Sequence, residues 1–143
     1  KPSPHISEWE ASCHCCGEAV IFEPTIDLFE KTRDLLGKPI KINSFYRCPK
    51  HQEKLLKTSK NAAKLSPHLT GTALDLGLPN GVDALTLKEY FIQAALDLGL
   101  PRPRFGYKQY NYQFLHTDLV FMRFAPYTNV PNPSKAWKPG NEW

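Results

Sequence analysis

The segment Ser66–Leu76, SPHLTGTALDL, sets an imidazole, His68, seven residues before a carboxylate, Asp75, with a glycine, two threonines and small apolar residues between. A third side chain of the same chemistry, His116, stands in YQFLHTDL, a run whose apolar residues read as a buried strand. An imidazole in the interior needs a partner, and a metal ion is one. Two histidines and an aspartate are a set that holds catalytic zinc: three protein ligands, with a fourth position left for water. Taken singly, each has an ordinary structural role: His68 in a loop, Asp75 capping a turn, His116 satisfied by hydrogen bonds in the core. Spacing alone does not choose between these readings.

The elements that must position the three are legible in part. Proline near the start, Ile26, Phe29 and Leu36 near one stripe, and a following Gly37 predict a helix over 24–36. KPIKINSFY alternates Ile40, Ile42, Ser44 and Tyr46, as a strand does. A second helix starts near Pro49 and carries Lys50, Lys54, Lys57, Lys60 and Lys64 at intervals of three or four, which lines them along one face. Thr86 with Glu89 three residues on forms a capping box for a third helix bearing Phe91, Ala95 and Leu98. TALDLGL, RFGYK and FLHTDLVF read as short strands. Helices mixed with a mostly antiparallel sheet make the class α+β.

A chain of 143 residues suits one domain with one core, so a site must be assembled from distant parts of a single fold. The expectation is one domain over 1–143, with an irregular proline-rich tail from about 125 to 143. Its composition, 41% apolar and 22% charged, is that of a soluble globular chain. No apolar run approaches the roughly 20 residues of a membrane-spanning helix. The N-terminus lacks the apolar core of a signal peptide and opens on Lys1, which reads as a mature or trimmed form. A net charge of +4 is modest. The lysine stripe is either a solvated helix face or a patch that draws the protein toward an anionic polymer such as a cell wall, a membrane surface or nucleic acid.

INSFYRCPKHQ, SPHLTGTALDL and FLHTDL together resemble the zinc D-alanyl-D-alanine carboxypeptidase family, cell-wall peptidases that share their fold with the Hedgehog signalling domain. That family shows a Ser-x-x-Arg segment followed by His-Asn, then Ser-x-His-x-x-Gly-x-Ala-x-Asp, then a late histidine on a strand. Ser44, Arg47, His51, Ser66, His68, Gly71, Ala73, Asp75 and His116 fall into that pattern, with Gln52 in place of the usual Asn. SEWEASCHCCGE resembles the cysteine-bearing entry segment of one branch. The resemblance implies zinc held by His68, Asp75 and His116, with Arg47, Ser66 and His51 at the substrate. An arginine there suits a stem peptide, because its rigid fork pairs bidentately with a carboxylate. Gly71 permits either a close backbone approach or a turn.

A zinc peptidase also needs a base for the proton of the attacking water. Better-known branches of the family carry Glu or Asp three residues before the last histidine ligand, and here that position is Gln113. A glutamine can hold a water but cannot accept its proton. Three explanations are open. Asp118, two residues past His116 and on the same strand face, is the base or only orients His116. The chain has become a zinc-bearing binding protein. Or a glutamate has been deliberately exchanged for glutamine.

The cysteines Cys13, Cys15, Cys16 and Cys48 are expected to form one disulfide from the CHCC loop to Cys48, leaving spare thiols, with a second metal site as the rival. Among the aromatics before His116, one or two tyrosines are candidates to line a groove and donate to a developing oxyanion.

The reading that follows is a monomeric α+β zinc peptidase acting on peptidoglycan stem peptides as carboxypeptidase or endopeptidase. It would work at the cell envelope, as a secreted protein, or as a phage-encoded one acting on the wall, with no nucleic-acid partner. The alternative is a zinc-containing binding module of the same fold without turnover. A third reading is a small Cys/His metal domain binding nucleic acid through the lysines, with metal at CHCC and none at His68, Asp75 and His116.

Overall fold

The computed structural model describes residues 2–58, 66–123 and 137–143. A short helix α1 (Glu8–Ala11) opens the chain under a capping box, with the Ser7 hydroxyl accepting from Glu10 N–H and the Glu10 carboxylate from Ser7 N–H. The Ser-x-x-Glu signature that specifies it was present in the sequence but not read as a helix start. Helix α2 (Glu23–Leu36) has proline in its first turn and ends at Gly37 with φ 70°, buries Ile26, Leu28 and Phe29, and so keeps the extent its pattern implied. Strand β1 (Ile42–Ser44) is shorter than the alternation suggested. Helix α3 (Pro49–Thr58) exposes Lys50, Lys54 and Lys57, while Lys60 and Lys64 lie outside the described residues.

Strand β2 (Ala73–Gly77) leads into α4 (Ala84–Leu98), which starts earlier than expected. Its cap is Asp83, whose carboxylate accepts from Thr86 N–H at 2.7 Å, and not Thr86 with Glu89. Aspartate caps at least as well as threonine, and the earlier start also buries Ala84 on the core side. Strands β3 (Arg104–Gly106) and β4 (Phe114–Asp118) complete a four-stranded sheet of order β1-β2-β4-β3, antiparallel throughout, and the class is α+β.

The period of two along the strands divides the sheet into unlike faces. Leu74, Leu76, Leu115 and Phe105 are fully buried in the core to which α2 and α4 contribute Ile26, Leu28, Phe29, Leu87 and Phe91. The register brings Ser44 opposite Asp75, Asp75 opposite His116 and His116 opposite Gly106, one row across all four strands. A second row sets Ala73 opposite Asp118 and Asp118 opposite Arg104.

Most of the tail expected to be irregular, residues 124–136, lies outside the described residues, and 137–143 form turns and one β-bridge. Trp143 N–H bonds to Phe105 O at 3.0 Å and Phe105 N–H to Asn141 O at 2.9 Å, so this segment runs parallel to β3 and extends the sheet edge. Glu142 fixes it laterally, accepting from Tyr107 Oη at 2.6 Å, Lys88 Nζ at 2.9 Å and Arg102 Nη2 at 3.1 Å. Gly106 makes room for it, since a Cβ at that position would stand 2.7 Å from the Trp143 indole. Gly106→Ala is therefore expected to displace Trp143 and destabilise by about 1–3 kcal/mol, the usual cost of overpacking. Urea unfolding with tryptophan fluorescence measures both effects.

Candidate metal centre

Three elements deliver the ligand set. Ser66 caps the 3₁₀ turn Pro67–Thr70, its hydroxyl accepting from His68 N–H at 3.2 Å, and this turn carries His68 to the end of β2. Gly71, in the left-handed region at φ 72°, closes the turn; a Cβ there would overlap the Val20 carbonyl oxygen. Its close backbone approach is thus to the loop before α2. Asp75 then lies within β2, and His116 directly across from it on β4. One ligand atom from each of His68, Asp75 and His116 lies within 4.8 Å of the others.

The second nitrogen of each ring decides how the first is presented. His68 Nδ1 lies 2.6 Å from Phe45 O, a carbonyl that can only accept, so the proton sits on Nδ1. Nε2 is left with a lone pair, buried, without a hydrogen-bond partner and 3.2 Å from Asp75 Oδ2. His116 Nε2 lies 2.7 Å from Asp118 Oδ2 and Nδ1 2.9 Å from Asp75 Oδ1, so both nitrogens face carboxylate oxygens, and a metal ion taken at Nδ1 would leave the proton on Nε2, held by Asp118. Both rings thus aim a nitrogen at one carboxylate while an oxygen holds the far side, the arrangement that outer partners impose on metal-binding histidines. An orphaned buried nitrogen beside a second imidazole and a carboxylate fits zinc chemistry.

Two arginines hold the carboxylates. Arg104 grips Asp118 through Nε at 2.9 Å and Nη2 at 2.8 Å, both side chains being buried. Burial raises the Asp118 pKa, but Arg104 and then His116 outweigh it and hold the group at about 2. Arg47 spends three donors on protein: Nε on Ser44 Oγ at 3.1 Å, Nη1 on Gln52 Oε1 at 3.0 Å and Nη2 on Asp75 Oδ2 at 3.0 Å. Burial likewise acts against the Asp75 carboxylate, yet His68 and His116 hold it well below the usual range. Burial pulls His68 toward the neutral ring, while for His116 the pull of burial is overcome by Asp118 and Asp75, which raise it. Asp75, with its side chain 16% exposed against 1% for His68, marks the side open to solvent.

The remaining expected site residues are placed differently. Gln113 is exposed, follows two consecutive left-handed residues, Asn111 (φ 52°) and Tyr112 (φ 60°), and donates its amide to Asn111 O at 3.3 Å. His51, expected at the substrate, packs instead against cysteines, with Nδ1 3.4 Å from Cys13 Sγ. Asp118 lies behind the His116 ring, on the side away from Asp75. Tyr107 is engaged with Glu142 and Tyr112 is exposed, while Tyr110 lies close enough to Asp75 to feel its charge. It is stacked on Phe114 at 4.2 Å, and burial, followed by the charge of Asp75, pushes its phenol up to about 12.

Two residues near the centre, Arg104 and Trp143, escaped sequence reasoning, and a third, Gln52, was noted in the family pattern without a role. Arg104 is a buried charge directly opposite Asp118, a pairing that exists only once β3 and β4 are neighbours. Gln52, 2% exposed, holds Arg47. Trp143 packs against His116 at 5.4 Å between ring centres and under the Arg104 guanidinium at 4.6 Å, and no local pattern in the tail announces it.

A four-stranded antiparallel sheet with helices on its core face and a His–Asp–His cluster on the other defines an α+β architecture with a candidate metal centre on the sheet. The family model for Peptidase M15 matches residues 4–118, and the chain belongs to that family. The crystal structure of the Serratia marcescens L-Ala D-Glu endopeptidase ChiX shares the fold, with a TM-score of 0.59 at 18% identity over 72% of this chain and 83% of that one. A search of curated protein sequences gives no match.

Proposed function

We propose that this chain is a zinc-dependent peptidase that cleaves stem peptides of bacterial peptidoglycan, with zinc held by His68 Nε2, Asp75 and His116 Nδ1. The observation that carries the metal is the pair of imidazoles whose inner nitrogens are presented toward Asp75, one of them buried with that carboxylate as its neighbour and no hydrogen bond made. Family membership and the three-part motif carry the substrate class. Zinc, when bound, supplies Lewis acidity toward the scissile carbonyl and toward water.

The chain's own residues do the rest. Phe45 O and Asp118 hold the outer protons of the two rings, and Arg104 holds Asp118 against rotation. Arg47 steadies Asp75 and keeps two N–H donors for a carboxylate of the stem peptide. Tyr110, kept protonated, donates its O–H to the carbonyl oxygen as negative charge develops there.

A second reading has its own support. Neither Gln113, exposed and bonded to Asn111, nor Asp118, bound by Arg104 behind the ring, presents a free carboxylate to the cluster. A zinc-bearing binding module without turnover has the same geometry. Digestion of purified peptidoglycan by the zinc-loaded protein, by chelated and zinc-restored protein, and by Gln113→Glu separates the two. Release of peptide fragments that chelation abolishes and zinc restores is the expected result, with Gln113→Glu within a few-fold of the unaltered protein. Tight stem-peptide binding without release by either form would establish the binding module. Strong release by Gln113→Glu alone would show that this position does reach the reacting water.

Arg47→Lys keeps the charge and loses the fork. Because Arg47 touches Asp75, the substitution is expected to weaken zinc as well as stem-peptide binding, by about 10- to 100-fold for the metal. Competition with a chromogenic chelator measures the first, and calorimetry with the peptide and its C-terminal amide the second.

A further inference from the structure

The disulfide expected between the CHCC loop and Cys48 is not formed. All four cysteines are free, and Cys15 Sγ lies 3.5 Å from Cys13 Sγ and 3.3 Å from Cys48 Sγ. A disulfide needs about 2.05 Å. Thiolates on a tetrahedral zinc, each about 2.3 Å from the ion, stand roughly 3.8 Å apart. The four Sγ atoms all lie within 4.8 Å of one another, which suits the second distance and not the first. Three of the four cysteines fall within residues 13–16, so pairing all of them as disulfides would force one bridge inside that span.

We propose that Cys13, Cys15, Cys16 and Cys48 bind a second metal ion, a structural zinc. The backbone is shaped for it. Gly17 at φ 77° donates its N–H to Cys13 O at 2.8 Å, and Cys13 N–H bonds to Glu18 O at 2.7 Å, which curls CHCCG so that its sulfurs converge on Cys48. Outer donors are in place as well. His51 N–H points at Cys48 Sγ at 3.4 Å, and His51 Nδ1 lies 3.4 Å from Cys13 Sγ, the contacts that satisfy a coordinated thiolate. His14, the other candidate nitrogen in the loop, is stacked on Trp9 at 4.4 Å. Cys13 and Cys48 are buried while Cys15 and Cys16 are exposed, so the ion has both a closed inner side and a path from solvent. On binding, each thiol gives up its proton to solvent and the sulfur electron pair forms the bond to the metal, with no oxidant required.

The placement gives this ion a purpose. It joins the N-terminal segment after α1 to the start of α3, and Cys48 is the neighbour of Arg47, which reaches Asp75. A clamp at Cys48 thereby fixes the backbone from which Arg47 and Gln52 act.

The test is cobalt substitution of the full chain prepared with reductant. Thiolate-to-cobalt charge-transfer bands in the near ultraviolet, saturating at about one equivalent per chain, are expected. These bands arise from sulfur ligands alone, so the result stands apart from whether His68, Asp75 and His116 hold metal. His116→Ala is expected to retain the bands in full. Cys16→Ser, at an exposed position, is expected to weaken them and to release zinc at chelator concentrations that leave the unaltered chain loaded. Absence of the bands in the unaltered protein would overturn the proposal, and so would disulfides found by mass spectrometry after preparation with zinc and reductant.

Discussion

Asp118→Asn is expected to lower zinc affinity by about 10- to 100-fold and to reduce turnover at a fixed low zinc concentration in step with it. The carboxylate accepts the Nε2 proton of His116 while Arg104 holds it by two bonds. An amide can turn its NH₂ toward Nε2 instead, which favours the tautomer with the proton on Nδ1 and removes the lone pair that faces Asp75. Arg104 also loses its counter-charge in a buried place, a change that costs several kcal/mol when such a pair is broken outright and less where an oxygen remains. Zinc titration beside turnover at saturating zinc decides the role. Full zinc affinity with turnover abolished would make Asp118 the base, and weakened zinc with turnover recovered on adding metal would make it a positioning residue.

His116→Ala is expected to have the larger effect, loss of zinc from the His–Asp–His centre and of all zinc-dependent cleavage. Two ligands rarely hold zinc tightly, and the ring also separates Asp75 from Asp118, so its removal leaves two carboxylates facing a cavity beside Trp143. Metal analysis after gel filtration, read against the contribution of the cysteine cluster, measures the loss. Full occupancy of the centre in this variant would remove His116 from the ligand set.

What the sequence disclosed followed from locality. His68 and Asp75 share one short segment, and the motif that joins them to Arg47 is written in residue types a reader can compare with a family. The α+β class followed from periodicities that the strands and helices keep. The start of α4 was misplaced because Asp83 and Thr86 are both competent caps, and only burial of Ala84 decides between them. Trp143 and the Arg104–Asp118 pair were invisible for another reason: each depends on which strands become neighbours, and β4 inserting between β2 and β3 is a long-range choice with no local signature. Gln113 depends on both kinds of information: the family pattern marks the position, and Asn111 and Tyr112 in the left-handed region set where its side chain lies.

The direct pairing of Asp75 with His116 also bears on how the protein reaches its folded state. A slip of one residue between β2 and β4 would turn His116 to the opposite face of the sheet, where Leu74 and Leu115 now lie, so the register that buries the core is the same register that assembles the metal centre. The ligands cannot meet until the chain between them has closed a loop of some forty residues, a late event beside the formation of α2 and α4. During refolding, capacity for metal at this centre should therefore emerge with correct strand alignment, and misaligned chains would be marked by their failure to take it up.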